Sequence, residues 1–193
     1  MKQSQITSWC HEIMKSQMRE GGTYIDATMG NGLDTEFFCE MAGETGKVYA
    51  FDVQEAAVEK TRILLAQEGM SERATLILDG HEHMDRYIQE GSVDGICFNF
   101  GYLPGGDHSI ATIPETSIEA IEKGLKLLND EGMMSLCIYS GGDTGFEEKN
   151  QILAFLAKLP AGEYTVILNE YYNKENDPPV PVFIFKSKRK RAK

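Results

Sequence analysis

Short β-rich runs alternate with helix-length amphipathic segments along almost the whole chain, and this alternation constrains the fold more than any other feature. Strands are predicted at seven places: residues 22–28, 47–53, 74–79, 93–100, 133–140, 164–172 and 179–187. Helices are predicted before or between them, at residues 4–20, 33–43, 54–69, 82–89, 117–130 and 148–159. This alternation predicts a mostly parallel sheet covered by helices on both faces.

The last two predicted strands are joined only by the residues "NKENDPP", which leave no room for a crossover helix. Because parallel neighbours need such a crossover, these strands are predicted to form an antiparallel hairpin at the end of the sheet. A length of 193 residues is sufficient for one domain with a full core and short for two. A single domain over residues 1–193 is therefore predicted.

The composition predicts a reduced, cytoplasmic protein without a membrane span. No apolar run approaches the roughly 20 residues that a transmembrane helix needs, and the first residues lack the apolar region of a secretory signal. Four cysteines are scattered along the chain without a C-x-x-C pair, namely Cys10, Cys39, Cys97 and Cys137. Such spacing gives no indication of a disulfide framework.

The charge is unevenly distributed. The formal net charge is −11, yet residues 186–193, "KSKRKRAK", carry six of the 19 basic residues and no acid. The remaining acidic body argues against broad, non-specific binding to duplex nucleic acid, which depends on neutralising phosphates. The basic tail over residues 186–193 is compatible with anchoring an RNA by charge, and equally with a solubilising terminus.

Ligands of open α/β sheets bind beyond the carboxyl ends of the strands, so the residues that follow each strand are the candidates for a site. After the first strand comes "DATMGNGLDT", in which Gly30 and Gly32 let the backbone approach a ligand at the start of a helix. Asp52 ends the second strand and is suited to accept hydrogen bonds from two ribose hydroxyls, with Gln54 close behind. Together these residues predict a site for a nucleoside-containing cofactor.

The third strand is followed by "LDGHEHM", where Asp79 and His81 occupy the position at which an adenine ring would lie. A dinucleotide fingerprint requires G-x-G-x-x-G, but Thr35 stands in place of its third glycine. Asp34 would also place a negative charge beside a pyrophosphate. Both features count against NAD and favour S-adenosylmethionine, which carries a cationic sulfonium. The structural alternative is a tight turn with an acidic helix N-terminus, which suits the helix dipole.

The fourth strand ends in "NFGYLPGGDH", a glycine- and proline-rich loop. The carboxamide of Asn99 can accept a hydrogen bond from an amine, which would aim the nitrogen lone pair at a methyl group. Tyr102 or Phe100 offers a flat face for a base, and Asp107 or His108 could remove a proton. In the structural alternative, Asn99 simply ends the strand and Tyr102 packs against the sheet.

The segments "DATMGNGLDT", "FDVQ", "NFGYLPGGDHSI" and "NDPP" together resemble the MnmM-type tRNA methyltransferases, a bacterial family also labelled rRNA methylases. The resemblance runs from about residue 20 to residue 186 and implies a Rossmann-like class I methyltransferase fold. It implies methylation of the amine of 5-aminomethyl(-2-thio)uridine at the wobble position, in the anticodon region of tRNA, by a homodimer. It also implies that the "NDPP" loop borders the substrate entrance.

One position departs from the family pattern, because Gly142 stands where relatives often carry a histidine. If that histidine assists the substrate in relatives, the nearest candidates to replace it here are Asp143 and His108. His11, on the first predicted helix, is interpreted as a surface or packing residue. No metal site is predicted, although His81 and His83 are close in sequence, because methyl transfer from a sulfonium needs no metal.

The predicted catalytic residues are Asn99, Tyr102, Asp107 and His108. The predicted cofactor-binding residues lie at the ends of the first four strands: Asp26, Thr28, Gly30, Asn31, Gly32, Asp34, Thr35, Asp52, Gln54, Asp79, His81 and Asn99. The alternative substrates are rRNA and a small-molecule amine. The alternative classes of function are NAD-dependent oxidoreduction and non-catalytic binding of the cofactor or of tRNA.

Overall fold

The computed structural model describes residues 6–101, 112–140 and 145–188. Five α-helices lie in these ranges: α1 (Ile6–Gln17), α2 (Leu33–Ala42), α3 (Glu55–Gln67), α4 (Pro114–Leu127) and α5 (Gly145–Leu156). The strands are β1 (Thr23–Asp26), β2 (Lys47–Asp52), β3 (Ala74–Leu78), β4 (Val93–Phe100), β5 (Leu128–Ile138), β6 (Tyr164–Leu168) and β7 (Val180–Lys186). Two short 3-10 helices cover Ser71–Arg73 and His81–Arg86. None of the helices in the described ranges is both long enough and apolar enough to cross a bilayer.

The seven strands form one sheet in the order β3-β2-β1-β4-β5-β7-β6. β1 to β5 pair in parallel, whereas β7 is antiparallel to both β5 and β6. The predicted mixed sheet with a C-terminal antiparallel hairpin is therefore confirmed. The strand order reverses between β1 and β4, and such a switch point is where α/β sheets place their ligands.

Helices cover both faces of the sheet, as predicted. On one face, α1, α2 and α3 pack over a buried cluster that includes Tyr24, Phe38 and Phe183. On the other face, α4 and α5 pack over a larger aliphatic cluster. β4 lies in the middle and is buried at every position except Asn99, which is the pattern of a central parallel strand. The one partly exposed residue of β4 thus lies at its carboxyl end.

Several predicted boundaries are corrected by the structure. α4 begins at Pro114 rather than residue 117, because proline at the first helical turn is pre-organised for a helix. It ends at Leu127 and β5 starts at once, so Asn129 and Asp130 belong to the strand and not to the helix. The segment predicted as a helix at 82–89 is a 3-10 helix from His81, and β6 ends at Leu168 rather than residue 172.

The tail predicted over residues 186–193 begins one residue later than expected, since Lys186 is the last residue of β7. Its side chain is buried, and its Nζ donates hydrogen bonds to the carbonyl oxygens of Leu125 (2.9 Å) and Leu128 (2.5 Å). A cation at the C-terminal end of α4 also complements the helix dipole. Lys186 therefore joins β7 to the α4–β5 junction. Residues 189–193 lie outside the described residues.

Candidate active site

A cavity of about 660 Å³ opens at the carboxyl ends of β1 to β4, a size typical of small-molecule sites. Nine of the twelve predicted cofactor-binding residues line it: Thr28, Gly30, Asn31, Asp34, Asp52, Gln54, Asp79, His81 and Asn99. Asp177 and Pro179, from the connection between β6 and β7, line it as well. The predicted "NDPP" loop thus borders the cavity.

The remaining predicted residues fall into two groups. Asp26, Gly32 and Thr35 do not line the cavity but lie behind its wall, where all three are buried. Tyr102, Asp107 and His108 lie outside the described residues, as do Gly142 and Asp143. Of the four predicted catalytic residues, Asn99 alone is therefore placed by the structure.

Asp26 braces the loop that follows β1. Its fully buried carboxyl group accepts hydrogen bonds from Thr35 Oγ1 (2.6 Å) and the Thr28 backbone N–H (3.2 Å), and Cys97 Sγ lies 3.7 Å from Oδ1. Burial, and then the nearby carboxylate of Asp34, raises the pKa of Asp26 to about 7. The contacts of Asp26 tie the end of β1 to the first turn of α2.

Gly30 and Gly32, the two glycines of the loop, are required by different features of the structure. Gly32 has φ 84°, and a Cβ there would lie 2.7 Å from Thr61 Oγ1 on α3. Gly32 is therefore required by the packing of α3 as well as by its left-handed backbone. Gly30, with φ 53°, lines the cavity directly, and its N–H donates to Asp52 Oδ2 at 2.9 Å.

Asp52 is held from behind by two backbone donors. Oδ2 accepts the Gly30 N–H, and Oδ1 accepts the Gln54 N–H at 2.9 Å. Each carboxylate oxygen has a second lone pair, so both remain able to accept a hydroxyl from a ligand in the cavity. The geometry fits the predicted contact with two ribose hydroxyls.

Asp79 and His81 form the wall that follows β3. Asp79 Oδ1 lies 2.7 Å from His83 Nδ1 and accepts the Gly80 N–H, while Oδ2 accepts the Tyr87 hydroxyl at 2.9 Å. These contacts, led by the one to His83, lower the pKa of Asp79 to about 2. His83 is thus engaged by Asp79 rather than paired with His81.

His81 tests whether this wall suits a nucleoside. Its ring lies edge-on to Phe98 (5.9 Å) and Phe100 (6.1 Å), and burial lowers the pKa of its imidazole. The buried Nε2 has no hydrogen-bond partner within the described ranges. A neutral imidazole with an unused nitrogen on the cavity wall fits a ligand that carries hydrogen-bonding groups, as an adenosyl moiety does.

Asn99 joins three elements at the end of β4. Its backbone N–H donates to Thr28 Oγ1 (2.7 Å), and its side-chain Nδ2 donates to Asp34 Oδ2 (2.5 Å). The other oxygen of Asp34 contacts His11 Nε2, and the His11 ring stacks on Phe37 at 4.0 Å. The interpretation of His11 as a surface or packing residue is therefore incomplete, because its imidazole also contacts a residue of the cavity wall. The sequence carried no signal of this contact, which exists only because the fold brings His11 of α1 beside Asp34 and Phe37 of α2.

The sequence also gave no indication of a second hydrogen-bond network, which is centred on Glu148. Glu148, in the first turn of α5, is buried and accepts hydrogen bonds from Thr112 Oγ1 (2.9 Å) and Ser117 Oγ (2.6 Å). Thr112 Oγ1 in turn accepts the Gly101 N–H at 2.8 Å, and the Thr112 N–H donates to the Gly101 carbonyl at 3.1 Å. This network joins Gly101 and Thr112, which lie on either side of segment 102–111, and that segment carries three predicted catalytic residues. In the sequence, Glu148 resembles any acid at the start of an amphipathic helix.

Asp26, Asp34 and Cys97 are the only described residues whose side chains could jointly ligate a metal, with ligand atoms within 4.8 Å of one another. Each is already engaged in the hydrogen bonds given above. Burial also raises the pKa of the Cys97 thiol, whereas a metal ligand would be the thiolate. The hydrogen bonds are a sufficient reason for this cluster.

Comparison with known proteins identifies the family. Residues 48–185 match the family model described as "Putative rRNA methylase". Over 192 residues, the chain is 35% identical to the Arabidopsis thaliana protein named tRNA (mnm(5)s(2)U34)-methyltransferase, chloroplastic, covering 95% of this chain and 69% of the plant protein. The chain belongs to this methyltransferase family. The predicted family membership and the Rossmann-like class I fold are both confirmed.

Solved structures of similar proteins have the same fold as this protein over nearly the whole chain. A Clostridium thermocellum protein described as a "putative rRNA-methylase" is 42% identical, with a TM-score of 0.92 over 96% of this chain and 100% of that one. A Streptococcus mutans methyltransferase structure in complex with S-adenosylhomocysteine (SAH) is 38% identical, with a TM-score of 0.85 over 95% and 98%. A more limited similarity, 31% over 100 residues, links half of this chain to 32% of the ribosomal RNA small subunit methyltransferase H of Streptococcus mutans.

Proposed function

We propose that this S-adenosylmethionine-dependent methyltransferase methylates the amine of 5-aminomethyl(-2-thio)uridine at the tRNA wobble position. The observation that carries the proposal is the 35% identity to the plant tRNA (mnm(5)s(2)U34)-methyltransferase over 95% of the chain. The prediction that the enzyme uses S-adenosylmethionine is confirmed by its family and by the relative that was crystallised with SAH.

The residues that line the cavity are proposed to bind different parts of the cofactor. Asp52, held by the N–H groups of Gly30 and Gln54, accepts the ribose hydroxyls. Asp79 and His81 lie beside the base, and Thr28, Asn31 and Asp34 lie towards the methionine end. When bound, S-adenosylmethionine supplies an electrophilic methyl group, whose bond to sulfur breaks as the new N–C bond forms and leaves its electron pair on sulfur.

The acceptor must reach the methyl group as a neutral amine. An alkylamine with a reference pKa near 10.4 is mostly protonated at pH 7, and an ammonium group has no lone pair with which to attack. We propose that the carbonyl oxygen of Asn99 accepts an N–H of the amine, so that the lone pair points at the methyl carbon at roughly 3–3.5 Å. Asp107 and His108 are our candidates for removing the proton, and Tyr102 is our candidate for stacking on the uracil.

The enzyme is proposed to be a single domain over residues 1–193 that acts as a cytoplasmic homodimer on the anticodon region of tRNA. The resemblance of its motifs to the MnmM-type family supports this assembly and target. The similarity of half of this chain to 32% of the rRNA methyltransferase favours rRNA as the second candidate substrate.

The decisive experiment is nucleoside mass spectrometry of tRNA that carries unmethylated 5-aminomethyluridine, incubated with the enzyme and S-adenosylmethionine. One methyl group gained on that nucleoside is the expected result, and Asn99→Ala is expected to abolish turnover while SAH still binds. Unmodified small-subunit rRNA serves as the competing substrate in parallel reactions. Methylation of the rRNA alone, or of neither RNA despite SAH binding, would discard the wobble-uridine assignment.

A further inference from the structure

The two ends of an asparagine carboxamide have nearly the same shape and opposite hydrogen-bonding character. At Asn99, Nδ2 lies 2.5 Å from Asp34 Oδ2. An ionised carboxylate only accepts hydrogen bonds, so it selects the NH₂ end of the carboxamide and turns the carbonyl end away. Asn99 lines the cavity, and no residue of the described ranges donates a hydrogen bond to its Oδ1.

Asp34 is itself held in place from the side away from the cavity. Its Oδ1 contacts His11 Nε2, and the His11 ring is fixed by stacking on Phe37 with an interplanar angle of 4°. The side chains of His11 and Asp34 are only 21% and 13% exposed. Asp34 and Asn99 line the cavity, whereas His11 does not. The contacts therefore run inward from α1 through α2 to the end of β4.

We propose that His11 and Asp34 are positioning residues, which lock the Asn99 carboxamide with its carbonyl oxygen towards the acceptor amine. This inference rests on the proposed function, because it assumes that Asn99 meets an amine. In the locked orientation, Oδ1 accepts an amine N–H and leaves the nitrogen lone pair free to form the N–C bond. In the flipped orientation, the NH₂ group donates to that lone pair and competes with the methyl carbon for it.

Asp34 was also predicted to bind the cofactor, and the two roles are distinguishable. Loss of a cofactor ligand weakens SAH binding. Loss of the fixed Asn99 orientation instead lowers kcat and leaves the dissociation constant of SAH and the KM for RNA unchanged. The expected effect of Asp34→Asn is a 10- to 100-fold lower kcat, because an asparagine at position 34 no longer selects one end of Asn99. The matched control is Glu40→Gln, an exposed acid on the same helix.

A polarity swap supplies the sharper test. In the double variant Asp34→Asn/Asn99→Asp, the NH₂ group of the new amide donates to the new carboxylate, whose second oxygen faces the amine as an acceptor. The double variant is expected to exceed the kcat of each single variant by about tenfold. A merely structural role predicts no such recovery, since the second substitution would add damage to the first.

His11 is tested by a conservative pair of variants. His11→Ala is expected to lower kcat by roughly 3- to 10-fold, and His11→Gln, whose amide can still donate to Asp34, is expected to restore kcat to within about twofold. Glu12→Gln on the same helix is the control, because Glu12 is exposed. Equal activity of His11→Ala and wild type would remove His11 from the network.

A measurement without substrate separates this inference from the proposed function. By NMR, the Asn99 side-chain NH₂ of the wild-type enzyme is expected to exchange slowly with solvent and to lose that protection in Asp34→Asn. A protected NH₂ in an enzyme that does not methylate tRNA would support the proposed orientation of Asn99 and overturn the proposed function. An unprotected NH₂ would overturn the positioning role of His11 and Asp34. So would a double variant whose kcat does not exceed that of either single variant, in an enzyme that does methylate tRNA.

Discussion

Asp26 lies fully buried at the end of β1, where it ties the cavity loop to α2. Burial, followed by repulsion from Asp34, raises the pKa of its carboxyl group from 3.8 to about 7. The folded state therefore holds a proton on Asp26 that the unfolded state has already released above pH 4. Stability that depends on this proton is fully present below pH 4 and falls as the pH rises towards 7.

Asp26→Asn is expected to remove this pH dependence. The amide keeps an acceptor for Thr28 N–H and can donate to the Thr35 hydroxyl, and it carries no charge to bury. A shift of about three pH units corresponds to roughly 4 kcal/mol, so the unfolding free energy of wild type should fall relative to the variant by up to that amount between pH 4 and pH 8. Urea denaturation across this range measures the difference. Parallel pH profiles for the two proteins would contradict the assignment, and Glu40→Gln provides the control.

The site residues show what a sequence can and cannot predict at this scale. Gly30, Asp52 and His81 follow directly from their positions after strands, since strand ends in a parallel sheet converge on one edge. Gly32 was expected to approach a ligand, but its neighbour is Thr61 on α3. His11 reaches Asp34 across 23 residues of sequence, through a packing of helices that no local pattern encodes.

At the scale of elements, hydrogen bonds join Gly101 and Thr112, the two described residues on either side of segment 102–111. Gly101 follows β4, Thr112 precedes α4, and Glu148 of α5 accepts a hydrogen bond from the Thr112 hydroxyl. Burial raises the pKa of Glu148 above its ordinary value, and the hydrogen bonds from Ser117 and Thr112 offset only part of this increase. One hydroxyl, on Thr112, therefore satisfies both a backbone N–H at the start of segment 102–111 and a buried carboxyl group.

Thr112→Val is expected to weaken this junction, because it leaves the Gly101 N–H without its side-chain acceptor and Glu148 Oε2 without its donor, although Ser117 still donates to Oε1. An unsatisfied buried group costs about 1–3 kcal/mol, and a loss of about 2 kcal/mol lowers the Tm of a chain of this size by roughly 4–8 °C. The kcat for tRNA methylation should fall as well, since the segment loses an anchor. Thr112→Ser keeps the hydroxyl and should behave as wild type. Thr165→Val, on an exposed position of β6, is the control; equal losses in Thr112→Ser and Thr112→Val would contradict this role.

Most elements could be predicted because their boundaries carry local signals. β4 matches its predicted range, since an apolar run enters a glycine- and proline-rich loop there. The junction of α4 and β5 could not be predicted, because the chain passes from Leu127 to Leu128 without a turn residue. The predicted range extends β6 to residue 172, but Tyr172 is fully exposed and lies beyond the last pair of the ladder.

At the scale of the whole molecule, the cavity is a consequence of sheet order. β1 lies between β2 and β4, and this order brings the ends of the first four strands to one rim. Because β7 is antiparallel to both its neighbours, β6 runs parallel to β5, and the β6–β7 connection returns to the same rim with Asp177 and Pro179. The mixed sheet followed from the alternation of strands and helices and from the short β6–β7 connection, whereas the side-chain networks beneath the rim required the packed structure.

Because four strands contribute to the cavity, a bound cofactor should stabilise the molecule as a whole. A ligand at 100 times its Kd stabilises the folded state by about 2.7 kcal/mol, which raises the Tm of a chain of this length by roughly 5–10 °C. SAH is expected to produce such a shift in wild type, and NAD at the same concentration is expected to produce none.

Asp52→Asn is expected to reduce the SAH-induced shift specifically. The Gly30 and Gln54 N–H groups each donate to one oxygen of Asp52, so an amide must turn its NH₂ group towards one of these donors. The side chain then moves away from the position proposed for its contact with the ribose, so SAH should bind more weakly. The measurement is the difference in Tm with and without SAH, which separates ligand binding from any change in the stability of the free protein. A full SAH-induced shift in Asp52→Asn would remove Asp52 from the cofactor site, and Glu40→Gln should show the wild-type shift.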